Sequence, residues 1–203
     1  LAVDGGYVNG SWYIEADFTG NDDDGIDALL EADGEDALVY FNLDIDSYSN
    51  ISNNDDDGLA VTILSENDDT AYVDAYIEVD QAYFDGNDGD GIDVNASGED
   101  GGDFDVALDL NDVSASNNDG DGLHIYAHVE DGSQGTVDLY VDHYYDAYSY
   151  FSGNGDDGID VLIDADEAGS YIYTEVDLYD VQAGENGDDG LSIVTQVDEG
   201  TAN

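Results

Sequence analysis

The stretch NDDDGIDALLEADGEDALVYFNLDID at residues 21–46 contains nearly everything that the chain repeats. It opens with an acidic loop, NDDDG at 21–25. A short apolar run follows from Ile26, then a turn, DGED at 33–36, then a longer run, ALVYFNLDID at 37–46. In the longer run Ala37, Val39, Phe41, Leu43 and Ile45 fall on one side, with Tyr40, Asp44 and Asp46 on the other. Successive side chains leave a strand on opposite faces, so alternation with a period of two marks a half-buried strand. The aliphatic face reads as core. The opposite face is a lattice of Tyr and carboxylate.

The loop returns five more times, as NDDDGL at 54–59, NDGDGI at 87–92, NDGDGL at 118–123, NGDDGI at 154–159 and NGDDGL at 186–191. Aligned on the apolar residue after Asp-Gly, the positions are Ile26, Leu59, Ile92, Leu123, Ile159 and Leu191, with steps of 33, 33, 31, 36 and 32 residues. Leu1 opens LAVDGG, which resembles LAVTIL at 59–64, and joins the same column. Asp follows each Ile (Asp27, Asp93, Asp160) and never the Leu, so units of about 33 residues pair into a period of about 66. The longer strand recurs too. Val137, Leu139 and Val141 oppose Asp138, Tyr140 and Asp142, and Trp12, Ile14 and Phe18 oppose Tyr13, Glu15 and Asp17. Helical periodicity is absent.

A lone hairpin is not stable in water, so the units must stack on one another. The sequence therefore predicts an all-β single repeat domain over 1–203, with units starting near 1, 26, 59, 92, 123, 159 and 191 and the last unit lacking its second strand. The units read as tandem β-hairpins, stacked as an elongated β-sandwich or a β-solenoid. The alternation of Ile and Leu units points to two environments, such as two facing sheets.

Composition limits function. The chain has 53 carboxylates, no Lys or Arg, and a formal charge of −53, yet 41% of its residues are hydrophobic. It has the means to bury a core and no internal means to neutralise itself, so cations from solution must offset the repulsion. With no positive side chains it is a poor partner for nucleic acid or an anionic membrane surface. No run of 18 apolar residues exists for a spanning helix. No Cys is present for disulfide or thiol chemistry. A secreted or cell-surface setting fits these features.

The acidic loop has two readings. Asn, Asp and Gly accept tight turns and left-handed backbone, so the loop can be turn chemistry alone. Adjacent carboxylates such as Asp22, Asp23 and Asp24 repel unless a cation sits among them, and calcium accepts six to eight oxygens from carboxylate, amide and main chain. The expected ligands are Asn21, Asp22, Asp24, Asn54, Asp55, Asp57, Asn87, Asp88, Asp90, Asn118, Asp119, Asp121, Asn154, Asp156, Asp157, Asn186, Asp188 and Asp189. GNDDDG at 20–25 and GNDGDG at 86–91 resemble the calcium turns of secreted bacterial repeat adhesins of the RTX kind, although those recur in nine-residue steps. The resemblance implies the class of calcium-stiffened extracellular repeat proteins.

Catalysis is not expected. Carboxylate pairs are everywhere, so none stands out as acid and base. His124 and His128 share a strand face but lie about 13 Å apart along the strand, too far to hold one zinc ion together. His143 falls on the aliphatic face with Val141. Three glycosylation sequons begin at Asn9, Asn50 and Asn95. The expected function is an extracellular structural subunit, stiffened by calcium, whose copies join head to tail into filaments or a surface matrix. The end units leave apolar residues such as Ile193 and Val197 to be covered. The alternative is a monomeric extracellular binding module for carbohydrate, mineral or ice, with surface polysaccharide as a partner.

Overall fold

The strand-forming runs pair in parallel, each with its equivalent one unit away. A computed structural model describes residues 1–203 except 47, 68, 69, 144–147, 199, 200 and 203, with the main chain alone at 2–4, 201 and 202. The strands are β1 (Ala2–Ile14), β2 (Ile26–Ile45), β3 (Leu59–Glu66), β4 (Tyr72–Asp80), β5 (Ile92–Gly98), β6 (Asp103–Asn111), β7 (Leu123–Val129), β8 (Gln134–Asp142), β9 (Ser149–Tyr150), β10 (Ile159–Asp166), β11 (Tyr171–Leu178), β12 (Val181–Gln182), β13 (Leu191–Asp198) and β14 (Thr201–Ala202). No helix occurs among the described residues.

The result is a parallel β-solenoid of about six turns with a spacing of about 32 residues. One sheet runs β13-β10-β7-β5-β3 and ends on the first part of β2. The other runs from the second part of β2 through β4-β6-β8-β11-β14. Long β2 belongs to both, and β1 lies parallel beside it. Ile26, Leu59, Ile92, Leu123, Ile159 and Leu191 form one in-register row.

The two strands of a unit do not bond to each other as a hairpin would. Their N–H and C=O groups are taken by the equivalent strands of neighbouring coils. Both sheets therefore arise within every coil, and the Ile and Leu units occupy equivalent rungs rather than two environments. A narrow third side completes the coil. It consists of single bridges along Asp17, Asn50, Tyr83, Ser114 and Tyr150, and of the β9–β12 pair.

The core lies between these sides, and the alternation read from sequence decides what enters it. Ala37, Val39, Phe41, Leu43 and Ile45 are buried, as are Val141 and, on the third side, Ile51, Phe84 and Phe151. Val176, in a later coil, is only partly buried. His143 departs from the aliphatic face: β8 ends at Asp142, and the His143 ring is partly exposed, with Nδ1 3.0 Å from Asp180 Oδ2. Asn111 pairs with Asp142, 31 residues on, and Ser114 with Tyr150, 36 residues on. The extra length of that long step thus lies between Asp142 and Tyr150.

Candidate functional site

The six acidic loops stack into one edge of the solenoid, and each of their residue types answers a demand of stacking. Main-chain bonds tie each loop to the next, as in Asp55 N–H to Asn21 C=O at 2.9 Å and Gly25 N–H to Asp57 C=O at 2.9 Å. The Gly of Asp-Gly is required by closeness rather than by a left-handed backbone. A Cβ on Gly91 would sit 2.6 Å from the Gly122 carbonyl oxygen and 2.7 Å from Asn118 Nδ2. Such contacts are far inside van der Waals range, so only glycine fits.

The Asn residues form a buried ladder. Asn21 Nδ2 donates to Asn54 Oδ1 at 2.7 Å, and the relay continues through Asn87, Asn118 and Asn154 to Asn186 at 3.0–3.3 Å. Each acceptor Oδ1 also takes the main-chain N–H of the preceding Asn. An amide oxygen has two acceptor sites, and from Asn54 to Asn186 both are filled from within the protein. The Asn residues expected as cation ligands thus hold the coils together.

The Asp before the final Gly forms a second column. Asp24 Oδ1 accepts the Asp57 N–H at 3.0 Å, and Asp57, Asp90, Asp121 and Asp157 each accept the N–H of the next Asp at 2.6 Å. Each uses one carboxylate oxygen in this way. These five are half-buried, whereas Asp189 is exposed. Burial pushes the Asp57 carboxyl up to about 7, the charges of Asp90, Asp93 and Asp56 adding to it and the hydrogen bond from Asp90 opposing it. Burial likewise raises Asp121 to about 6, and lifts Asp24, Asp90 and Asp157 above the ordinary range. Asp22, Asp55, Asp88, Asp119, Asp156 and Asp188 are exposed.

Among the described residues, three groups of side chains bring ligand atoms within 4.8 Å of one another: Asp23, Asp24 and Asp56; Asp90, Asp93 and His124; and His128, Asp164 and Asp166. Only Asp24 and Asp90 of these are among the ligands expected from sequence. The rest depend on which residues meet across coils. Once the parallel register is known, His124 stands between Asp93 and Asp160. Its Nδ1 lies 2.7 Å from Asp93 Oδ1 and 3.8 Å from Asp90 Oδ2. The Asp93 hydrogen bond, aided by the surrounding carboxylates against burial, holds the imidazole up to about 9. His124 is thus a built-in cation in a chain without Lys or Arg.

The outer face of the second sheet carries the Tyr–carboxylate lattice. Tyr72 Oη donates to Asp105 at 2.6 Å, and the Tyr40 and Tyr72 rings lie 6.1 Å apart edge to face. Asn9, Ser11, Tyr40, Asn42, Asp74 and Tyr76 line a shallow open groove there.

No protein-family model matches this chain, and no curated protein or solved structure is significantly similar to it. The parallel β-solenoid with its asparagine ladder is the class that the fold itself defines.

Proposed function

We propose that the protein is a non-catalytic extracellular structural element, a solenoid rod stiffened by calcium along its acidic edge. The observation that carries this reading is the column Asp24-Asp57-Asp90-Asp121-Asp157. It stacks half-buried carboxylates coil upon coil in a chain with no Lys or Arg. A turn would need the Asn ladder and the glycines, but not this concentration of charge. At Asp24 the column meets Asp23 and Asp56, and these three carboxylates form an all-oxygen donor set of the kind calcium takes. Bound there, the ion neutralises charge and ties adjacent coils. From Asn54 to Asn186 the Asn side chains contribute the ladder, their Oδ1 acceptor sites being filled from within the protein.

Length is the natural product of such a fold. Leu191, Ile193, Val194 and Val197 are exposed on the last described coil, and a further coil, of this chain or of a second copy, would cover them. Stacking of that kind gives filaments or a surface matrix. The test is calcium titration at low salt, followed by sedimentation and electron microscopy. Calcium should raise the melting temperature by many degrees and yield elongated species. A calcium-independent melt together with a monomer that forms no larger species sinks the proposal.

The Tyr–carboxylate groove at Tyr40, Asp74 and Tyr76 favours a second reading, a monomeric module that binds carbohydrate through aromatic stacking and hydrogen bonds. Binding to a glycan array, abolished by Tyr76→Ala with the melt unchanged, would establish that reading in place of the first.

A further inference from the structure

A group of side chains that includes a ring nitrogen stands apart from the acidic loops, on the outer face of the first sheet. His128 points outward from β7 with its ring stacked on Tyr126, centroids 6.2 Å apart at 15°. Its Nδ1 is fully enclosed and has no hydrogen-bond partner. Asp164, in register with His128 on the next coil, places Oδ2 3.6 Å from that nitrogen. Asp166, two residues along β10, joins them in a group in which each residue offers a ligand atom within 4.8 Å of the others. Glu130 Oε2 stands 3.7 Å from Nε2, on the other side of the ring.

A gap of 3.6 Å is too long for a hydrogen bond. It is close to the separation, about 3.4 Å, of two ligands bound to one tetrahedral ion at 2.0–2.1 Å each. His124 shows the contrast: its Nδ1 has closed to 2.7 Å on Asp93 and is satisfied. We propose that His128 Nδ1, Asp164 and Asp166 hold a single divalent ion of the zinc class, clamping β7 to β10. Imidazole nitrogen suits zinc and its first-row neighbours, whereas calcium takes oxygen. Three protein ligands leave a fourth position open. The site shares no residue with the acidic loops, so it stands or falls independently of calcium there.

The probe is Co2+, then Zn2+, titrated into the whole chain in millimolar calcium, which occupies unspecific carboxylates. One Co2+ should bind with the visible spectrum of a tetrahedral ion and be displaced by one Zn2+. His128→Gln and Asp164→Asn should each weaken binding by at least the roughly ten- to hundredfold that loss of an outer-shell partner alone produces, while His124→Gln leaves it unchanged. Circular dichroism checks that the variants keep their strands. Histidine 15N resonances of the unaltered chain give an independent readout, in which zinc should shift His128 and leave His124 in place. Absence of binding above the calcium background, binding unaffected by His128→Gln, or zinc shifting only His124 would each overturn the proposal.

Discussion

Asn87 Oδ1 accepts two hydrogen bonds from Asn54, from its main-chain N–H and from its Nδ2, each at 3.0 Å. Both partners are buried, so no water replaces either bond. Asn87→Ala strands two buried donors, each costing about 1–3 kcal/mol when left unpaired. Urea unfolding should therefore show a loss of about 3 kcal/mol. The Asn21 side chain, at the first rung, only donates to the next coil and is half-buried. Asn21→Ala should cost about 1 kcal/mol. Equal losses at the two positions would refute the ladder as a buried, cooperative element.

Glycine gives a sharper contrast. A Cβ on Gly91 meets the Gly122 oxygen, Asn118 Nδ2 and Ala115 Cβ, all between 2.6 and 2.8 Å. A Cβ on Gly184 meets nothing within 4 Å, and Gly184 is not in the left-handed region. Gly91→Ala should destabilise by about 2–3 kcal/mol through overpacking. Gly184→Ala should be neutral or stabilise by a few tenths, about what reduced freedom of the unfolded chain provides. Thermal melts of the two variants decide it.

The loop's spacing named the column that became the register row, and alternation at 37–46 named the core. Parallel pairing was not legible. A strand, a short turn and a second strand have the same local pattern whether they pair with each other or with neighbours about 33 residues away. The contact that separates these outcomes is between coils. The same gap hid the His128–Asp164 meeting, which is 36 residues long in sequence and one rung wide in space. The Asn residues read as ligands because turn, ladder and cation site all favour the same short polar side chains. Burial of Asn54, Asn87, Asn118 and Asn154 is what separates ladder from ligand.

The face assignment predicts a large difference between adjacent residues. Val141 is fully buried and Tyr140 is 38% exposed on the other face of β8. Val141→Asp places a carboxylate in an apolar core with no cation to pair with it, costing about 5 kcal/mol or global unfolding. Tyr140→Asp loses an exposed ring and adds one charge to a screened surface, for about 1 kcal/mol. Similar denaturation midpoints for the two would mean that the strand is turned over.

The last prediction concerns protons and calcium at the Asp column. Asp57 and Asp121 are raised from 3.8 to about 7 and about 6 in the folded chain. A raised folded value means that the folded state holds its proton more tightly than the unfolded state. These groups therefore favour folding at low pH, and that contribution is lost as pH rises from about 4 through 7. His124, held at about 9 by Asp93, favours folding below its ordinary value of 6.5, and its contribution is lost as pH climbs through 9. Both slopes have the same sign, so with calcium chelated at low salt the melting temperature should fall steadily from about pH 5 to about pH 9. Calcium replaces the proton as the neutralising species, so saturating calcium should flatten the curve up to about pH 7 and leave the His124 part above it. Asp57→Asn should make the acidic part shallower without calcium, since a neutral amide needs no proton while Asp121 still titrates, and His124→Gln should flatten only the alkaline part. Differential scanning calorimetry across this range is the measurement. A chelated chain whose melting temperature is constant from mildly acidic to mildly alkaline pH would show that the folded column does not hold protons more tightly than the unfolded chain.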